Sequence, residues 1–261
     1  MPQRPQALPA QLDNIKYVLS DVDDTITTRG TLLPETYLSM HRLAERDIAF
    51  IPITGGCAGW CDSFARLWPS AAVIGENGGF YLIQNAQRQM EYHFWQDSAT
   101  RTDNSAKLAA VAQRALARFP SVAMAKDQAY RLVDLAIDFN QDVRGVSRED
   151  IDAIIALFNE AGANAKASSI HINCWIGDYN KRAMAQRLLR EQFGLSESQM
   201  KEQVLFIGDS LNDESMFEFF PNSVGVANIE SQLAALTFQP RWITDKPHGH
   251  GFAQMIEMLC H

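Results

Sequence analysis

The chain has 261 residues, 46% hydrophobic and 21% charged, enough for one large domain or a domain carrying an insertion. With 23 basic against 31 acidic residues the formal charge is −8, which argues against holding nucleic acid or an anionic membrane by bulk charge. No apolar run approaches the ~20 residues of a membrane span.

Residues 1–14 carry three prolines and no apolar core, and read as a flexible tail rather than a signal peptide. The next stretch, Tyr17-Val-Leu-Ser-Asp21-Val-Asp23-Asp24-Thr25, is a short apolar run of the kind that forms a buried parallel strand, closed by three carboxylates and a hydroxyl. Helical spacing follows over Thr36–Arg46, with Pro34 placed to open the helix. Asp47–Ile53 reads as a second strand ending in Thr54-Gly55-Gly56, in which Pro52 lacks a ladder donor. A helix over Ala58–Leu67 and a short strand Ala72–Ile74 lead to Gly75-Glu76-Asn77-Gly78-Gly79.

Phe80–Ile83 and Met90–Trp95 flank a polar turn and read as a hairpin. The texture then changes to an alanine-rich helix over Asn104–Phe119, an alternating strand over Arg131–Phe139, a helix over Asp150–Ala161 with Ser147 in position to cap it, and a second alternating strand over Ser168–Ile176. Residues 84–179 therefore read as an α+β insertion with a half-exposed antiparallel sheet. Lys181–Phe193, closed by Gly194, returns to crossover helices. Val204–Ile207 is a fully apolar strand running into Gly208-Asp209-Ser210-Leu211-Asn212-Asp213. Short strands at Val224–Val226 and Trp242–Ile243 and a helix over Gly251–Leu259 complete the chain. The expected organisation is a tail (1–14), an α/β core (15–83 and 180–261) and an inserted α+β domain (84–179).

Four polar clusters stand just after apolar strands or at a helix start: Asp21/Asp23, Thr54-Gly55, Lys181, and Asp209/Asn212/Asp213. In a parallel sheet such strand ends share one edge, where ligands bind. Asp21 and Asp23 are two apart, so the chain must turn after the strand for both to serve one site. Unneutralised, the cluster would repel itself; a hard cation such as Mg²⁺ resolves that. Phosphoryl transfer needs a nucleophile, a metal, donors for the phosphate oxygens and a fixed cation. In this set Asp21 would attack. Thr54 and the backbone of Gly55 would hold the phosphoryl group, and Lys181 would balance charge. Asp209, with oxygens of the first cluster, would hold Mg²⁺, and Asp213 or Asn212 would orient water or phosphate.

Asp-x-Asp-x-Thr, strand-Thr-Gly, a helix-opening Lys, then Gly-Asp-Ser-x-Asn-Asp resembles the four ordered motifs of the haloacid dehalogenase (HAD) phosphatases. Gly75–Gly79 and the insertion resemble the branch (subfamily IIB) that includes Cof-type, sucrose-phosphate and mannosyl-3-phosphoglycerate phosphatases. The resemblance implies a Rossmann-like parallel-sheet core under an inserted cap. It also implies that Asp21 forms an aspartyl-phosphate and Asp23 acts as acid and then base. Thr54 and Lys181 would bind the phosphoryl group. Mg²⁺ would be held by Asp21, the Asp23 carbonyl and Asp209, with Asp213 behind. Two positions depart from the pattern: Asp24 stands where many relatives have Gly, and Gly56 where many have Arg.

Glu76 and Asn77, in the loop after a core strand, are expected to touch substrate. His171, Asn173 and Trp175 alternate on one strand face; His171 or Asn173 could read a sugar hydroxyl, but a solvated sheet face is the preferred reading. Arg131 and Asp134, three apart on a strand, are expected to point opposite ways. His248-Gly-His250-Gly reads as a flexible loop rather than a metal pair, and Cys57, Cys61, Cys174 and Cys260 as free thiols of a reducing compartment. The expectation is a cytoplasmic Mg²⁺-dependent phosphatase whose partner is a small phosphorylated metabolite, a sugar phosphate, with no nucleic acid or membrane. The alternatives are a phosphomutase or a non-catalytic phospho-ligand binder.

Overall fold

The computed structural model describes residues 5–9, 11–168 and 170–261. The first part of the core runs β1 (Gln6–Ala7), β2 (Tyr17–Asp21), α1 (Pro34–Glu45), β3 (Ala49–Ile53), α2 (Ala58–Leu67), β4 (Val73–Gly75), β5 (Phe80–Gln84) and β6 (Met90–Phe94). The cap follows with α3 (Ser98–Arg118), β7 (Ala123–Met124), β8 (Leu135–Asp138), α4 (Arg148–Glu160), β9 (Asn164–Ala167) and β10 (His171–Trp175). The chain returns through α5 (Lys181–Phe193), α6 (Glu197–Gln203), β11 (Val204–Gly208), α7 (Glu214–Phe219), β12 (Ser223–Gly225), β13 (Trp242–Ile243) and α8 (His248–Cys260).

The core sheet has the order β1-β13-β12-β11-β2-β3-β4-β5-β6, parallel as far as β4 and antiparallel beyond it. Its central strands β2 and β3 are buried beyond their first residue and β11 throughout, because helices cover both faces. Alternation sends Val18 and Phe50 toward Met40 and Leu43 of α1 and Phe252 of α8. It sends Leu19 and Ile51 toward Met184 and Leu188 of α5. The cap sheet, β7-β8-β10-β9, is antiparallel and packs one face on α3 and α4 around Ile137, Ile172, Ile154 and Phe158. Among the described residues no helix is long and apolar enough to cross a membrane.

Several elements differ from the sequence expectation. Gln6 and Ala7, in the expected tail, pair in parallel with Trp242 and Ile243 and edge the core sheet; residues 1–4, 10 and 169 lie outside the described part. The hairpin β5–β6 forms, but β6 belongs to the core sheet and not to the insertion. Its turn lacks glycine because Asn85 Oδ1 accepts from Gln87 N and Gln89 N, while Arg88 takes a left-handed φ of 62°. Helix α3 starts six residues earlier than its alanine run, where Asp97 caps it by accepting from Thr100 N at 2.9 Å. The cap sheet is not half exposed, since every residue of β8 and β10 is buried. His248 and His250 lie in the first turn of α8, not in a loop: His248 N donates to Asn228 Oδ1 at 2.8 Å, and the His250 ring pairs with Glu35.

Candidate active site

The carboxyl ends of β2, β3, β4 and β11 deliver Asp21, Thr54, Glu76 and Asp209 to one edge, as parallel strands must. The chain turns after β2, where Thr25, Ile26 and Thr27 all donate backbone N–H to the Val22 carbonyl, so Asp23 folds back over the site. Asp24 takes a φ of 58° in this turn and its Oδ1 accepts from Arg29 N at 3.0 Å. That left-handed geometry is one that glycine adopts freely, and the hydrogen bond is what the aspartate adds.

Lys181, at the start of α5, is buried and joins three acidic or amide oxygens. Its Nζ lies 2.5 Å from Asp21 Oδ1, 2.8 Å from Asp213 Oδ1 and 3.2 Å from Asn212 Oδ1. Burial works against its charge, but Asp21 and Asp213 more than offset it and hold the ammonium above the ordinary lysine range. Asn180, the N-cap of α5, accepts from Ala183 N at 2.9 Å and fixes where that helix begins.

Asp21, Asp209 and Asp213 bring oxygens within 4.8 Å of one another. Burial, opposed by Lys181 and then reinforced by Asp213 and Asp23, pushes Asp21 up to about 8. Burial, then Asp21 and Asp213, pushes Asp209 well above the carboxylate range. Three buried carboxylates sharing one ammonium are a cluster of the kind that could hold a hard divalent cation such as Mg²⁺. Both Asp213 oxygens are engaged. Its Oδ1 accepts from Lys181 at 2.8 Å, and Oδ2 accepts from Asp209 N at 3.1 Å and Ser210 N at 3.3 Å. Asp213 thus fixes Lys181 and the Asp209 backbone rather than facing an ion directly. Asp23 stands apart from this trio, with Oδ2 accepting from Thr54 Oγ1 at 3.4 Å. Its pKa is raised by burial, against Lys181, which suits an acid.

Thr54 Oγ1 also accepts from Gly56 N at 2.8 Å, which turns the loop after β3. A Cβ on Gly55 would lie 2.8 Å from Asn173 Nδ2 and 3.0 Å from Asn77 Oδ1, so any larger residue there would displace one of these two amides. Asn77 therefore lies beside the loop that follows Thr54. Glu76 is not available to substrate. Its two oxygens accept from Leu132, Val133 and Asp134 N–H at 2.7–3.1 Å and from Ala58 N, the first residue of α2, at 3.0 Å. It braces the loop against the cap.

That brace overturns the strand expected over residues 131–134, which instead wrap around the Glu76 carboxylate. Arg131 and Asp134, expected to diverge, pair at 2.8 Å, and Arg131 Nη1 also donates to the Gly55 carbonyl at 3.0 Å. Arg131 Nε and Nη2 donate to Asp127 at 3.2 and 3.1 Å. His171 and Asn173 are each 4% exposed, not on a solvated face. Asn228 was not anticipated. Its Nδ2 donates to Asp209 Oδ2 at 2.8 Å and to the Asp24 carbonyl at 3.1 Å. Its position just beyond the β12 strand end was the available signal.

A three-layered α/β core with an acidic strand-end cluster under an inserted α+β cap defines a haloacid dehalogenase-type fold. The chain belongs to the haloacid dehalogenase-like hydrolase family, whose model matches residues 124–256. Solved structures carry the same fold at low identity. A protein from Thermoplasma acidophilum aligns at 19% identity and a TM-score of 0.72, over 94% of this chain and 99% of that one. The sucrose-phosphatase of Synechocystis sp. PCC6803, solved with sucrose and phosphate, aligns at 16% and 0.65, over 94% and 97%. The trehalose-6-phosphate phosphatase C-terminal domain of C. albicans aligns at 12% and 0.67, over 95% and 93%. These neighbours share the fold of the subfamily IIB branch expected from the sequence. No curated protein sequence matches the chain.

Proposed function

We propose that the protein is a Mg²⁺-dependent phosphatase that hydrolyses a small phosphomonoester, a sugar phosphate, through an aspartyl-phosphate. The observation that carries this reading is the Lys181 ammonium held between Asp21 and Asp213, with Asp209 alongside. Asp21 attacks phosphorus; the bond from phosphorus to the ester oxygen breaks as the bond to the aspartate forms. Asp23 gives its proton to the departing oxygen. It then takes a proton from water as the water oxygen bonds phosphorus and releases Asp21. Lys181, the Thr54 hydroxyl and the backbone after Thr54 hold the phosphoryl oxygens. The divalent cation, when bound by Asp21 and Asp209, supplies positive charge against the phosphate oxygens. The buried centre keeps bulk water from competing.

Two of the phosphatase structures similar in fold are named for sugar-phosphate substrates, which supports that class here. The four cysteines are unpaired, in keeping with a cytoplasmic enzyme. The test is phosphate release from a panel of phosphorylated sugars, polyols and nucleotides, with and without Mg²⁺, beside Asp21→Asn. Metal-dependent release abolished in the variant is the expected result; full turnover in the variant would exclude Asp21 as nucleophile. Phosphoryl exchange between sugar positions without free phosphate would instead indicate a mutase, and tight ligand binding without release a non-catalytic binder.

A further inference from the structure

The two edges of the core sheet are built differently. At one, β1 contributes only two residues, Gln6 and Ala7. At the other, β6 is five residues long, Met90-Glu91-Tyr92-His93-Phe94, and among the described residues no strand pairs with its outer side. Trp95 N donates to the Gly79 carbonyl and Asn85 N to the Gln89 carbonyl, both at 2.9 Å, so the odd-numbered residues of β6 bond inward to β5. The N–H and C=O groups of Met90, Tyr92 and Phe94 therefore point outward. In keeping with this, the Phe94 carbonyl accepts from Arg187 Nη1 of α5 at 3.0 Å, which leaves it one lone pair. Sheet edges are ordinarily blunted by short strands, proline, lysine or a bulge. β1 is short, but β6 has no proline or lysine, and its register on β5 runs unbroken from Phe94 to Met90.

The side chains of β6 complement a second copy of themselves. Two such strands, antiparallel about a two-fold axis at Tyr92, would set Tyr92 opposite Tyr92, Met90 opposite Phe94 and Glu91 opposite His93. In this register the outward groups of Met90, Tyr92 and Phe94 fall into hydrogen-bonded pairs. Glu91 and His93 fall into the closer pairs, where side chains touch. Both side chains are within reach, Glu91 being 51% and His93 32% exposed. Glu91 Oε1 accepts from Asn85 Nδ2 at 2.7 Å, while Oε2 lies 3.9 Å from His93 of its own strand, too far for a hydrogen bond. On the other face the Tyr92 and Phe94 rings stack at 5.9 Å, and a second copy would extend them into one aromatic row. A strand of unrelated sequence could satisfy the backbone, but a two-fold mate satisfies the carboxylate and the imidazole twice over.

We propose that β6 is a homodimer interface, at which two copies of this chain pair their outer edges about Tyr92 and carry one sheet across both. The two-fold axis stands perpendicular to the sheet, so the two strand-end sites open on opposite sides of the joined sheet and neither blocks the other. This inference does not depend on the phosphatase reading. The test is sedimentation velocity on the full chain across a concentration series up to about 100 µM. The wild type should reach twice the 29.2 kDa of one chain. His93→Glu sets carboxylate against carboxylate twice in each interface and should raise the dissociation constant about tenfold. Adding Glu91→Lys to it makes the facing charges opposite again and should recover most of the loss. A wild type that stays monomeric overturns the proposal and leaves the edge to water or to a strand of another protein. A dimer indifferent to His93→Glu, or a double variant no tighter than the single one, overturns it too. Hydrogen exchange on the wild type decides even if a variant does not fold. The amides of Met90, Tyr92 and Phe94 should exchange more slowly as protein concentration rises, and exchange independent of concentration would place any dimer contact elsewhere.

Discussion

Arg131 donates to the Gly55 carbonyl at 3.0 Å from the same Nη1 that pairs with Asp134 at 2.8 Å. One buried guanidinium thereby ties the cap to the peptide that follows Thr54. Glu76 repeats the tie from the other side by gripping three cap N–H groups. The cap and the phosphate loop are one hydrogen-bonded unit.

Arg131→Ala would leave Asp134 as a buried carboxylate without its cation and is expected to destabilise the fold by about 3–5 kcal/mol. Arg131→Lys should recover only part, because a point charge cannot serve Asp127, Asp134 and Gly55 together. Urea unfolding of the three proteins measures this; wild-type stability in the alanine variant would contradict the pairing.

Lys181→Met removes the one ammonium between Asp21 and Asp213. The expected fall in kcat is of order 10²–10³-fold, with the protein still folded by circular dichroism. Lys181→Arg should not restore activity, because the larger fork does not fit a site this buried. Activity retained in Lys181→Met would assign the charge-balancing role to another cation.

Asn228 reaches Asp209, the Asp24 carbonyl and His248 N with a single amide. Side chains that orient a metal-holding carboxylate typically affect affinity 10–100-fold. Asn228→Ala should raise the Mg²⁺ concentration for half-maximal activity by about that factor, with much of kcat recovered at saturation. Removing Mg²⁺ should lower the melting temperature of the wild type, by the linkage between binding and folding, and should do so far less in Asp209→Asn. An unchanged Mg²⁺ requirement in Asn228→Ala would leave that residue a purely structural brace.

The His171 ring has a pKa below its ordinary 6.5, first through burial and then through Arg131. As pH falls through about 6.5 the unfolded chain takes up a proton that the folded ring refuses, so stability falls with pH. The contribution is whole above that value and is lost as pH drops toward the folded pKa. Between about pH 7.5 and pH 5 the wild type should lose more stability than His171→Gln, read from urea midpoints. Equal losses in both proteins would place the titrating group elsewhere.

The site was legible where chemistry coincides with a strand end. Asp21, Thr54 and Asp209 each close an apolar run, and Lys181 opens a helix, so local pattern and global position agree. What was not legible depends on partners distant in the chain. Glu76 looked like a substrate contact because three of its four backbone N–H partners lie more than 50 residues away. Residues 131–134 continued the alternation of β8 by composition alone, and only the Glu76 carboxylate makes them turn. A pairing of two residues, Gln6 and Ala7, is too short to carry a period. His171 and Asn173 alternate in the same way whether they meet water or the core, and only the docking of the cap decides between the two.

Lys181 is also the first helical residue after the chain leaves the cap, and the Asn180 carbonyl just before it packs on Gly78 so closely that a Cβ there would lie 2.3 Å away. The ammonium therefore reaches its three oxygens only once the inserted segment has come back to its seat. A fragment ending before Lys181 lacks the ammonium and Asp209 alike, so it carries no finished centre. In refolding experiments, phosphate release should be the last signal to recover, after fluorescence and helicity.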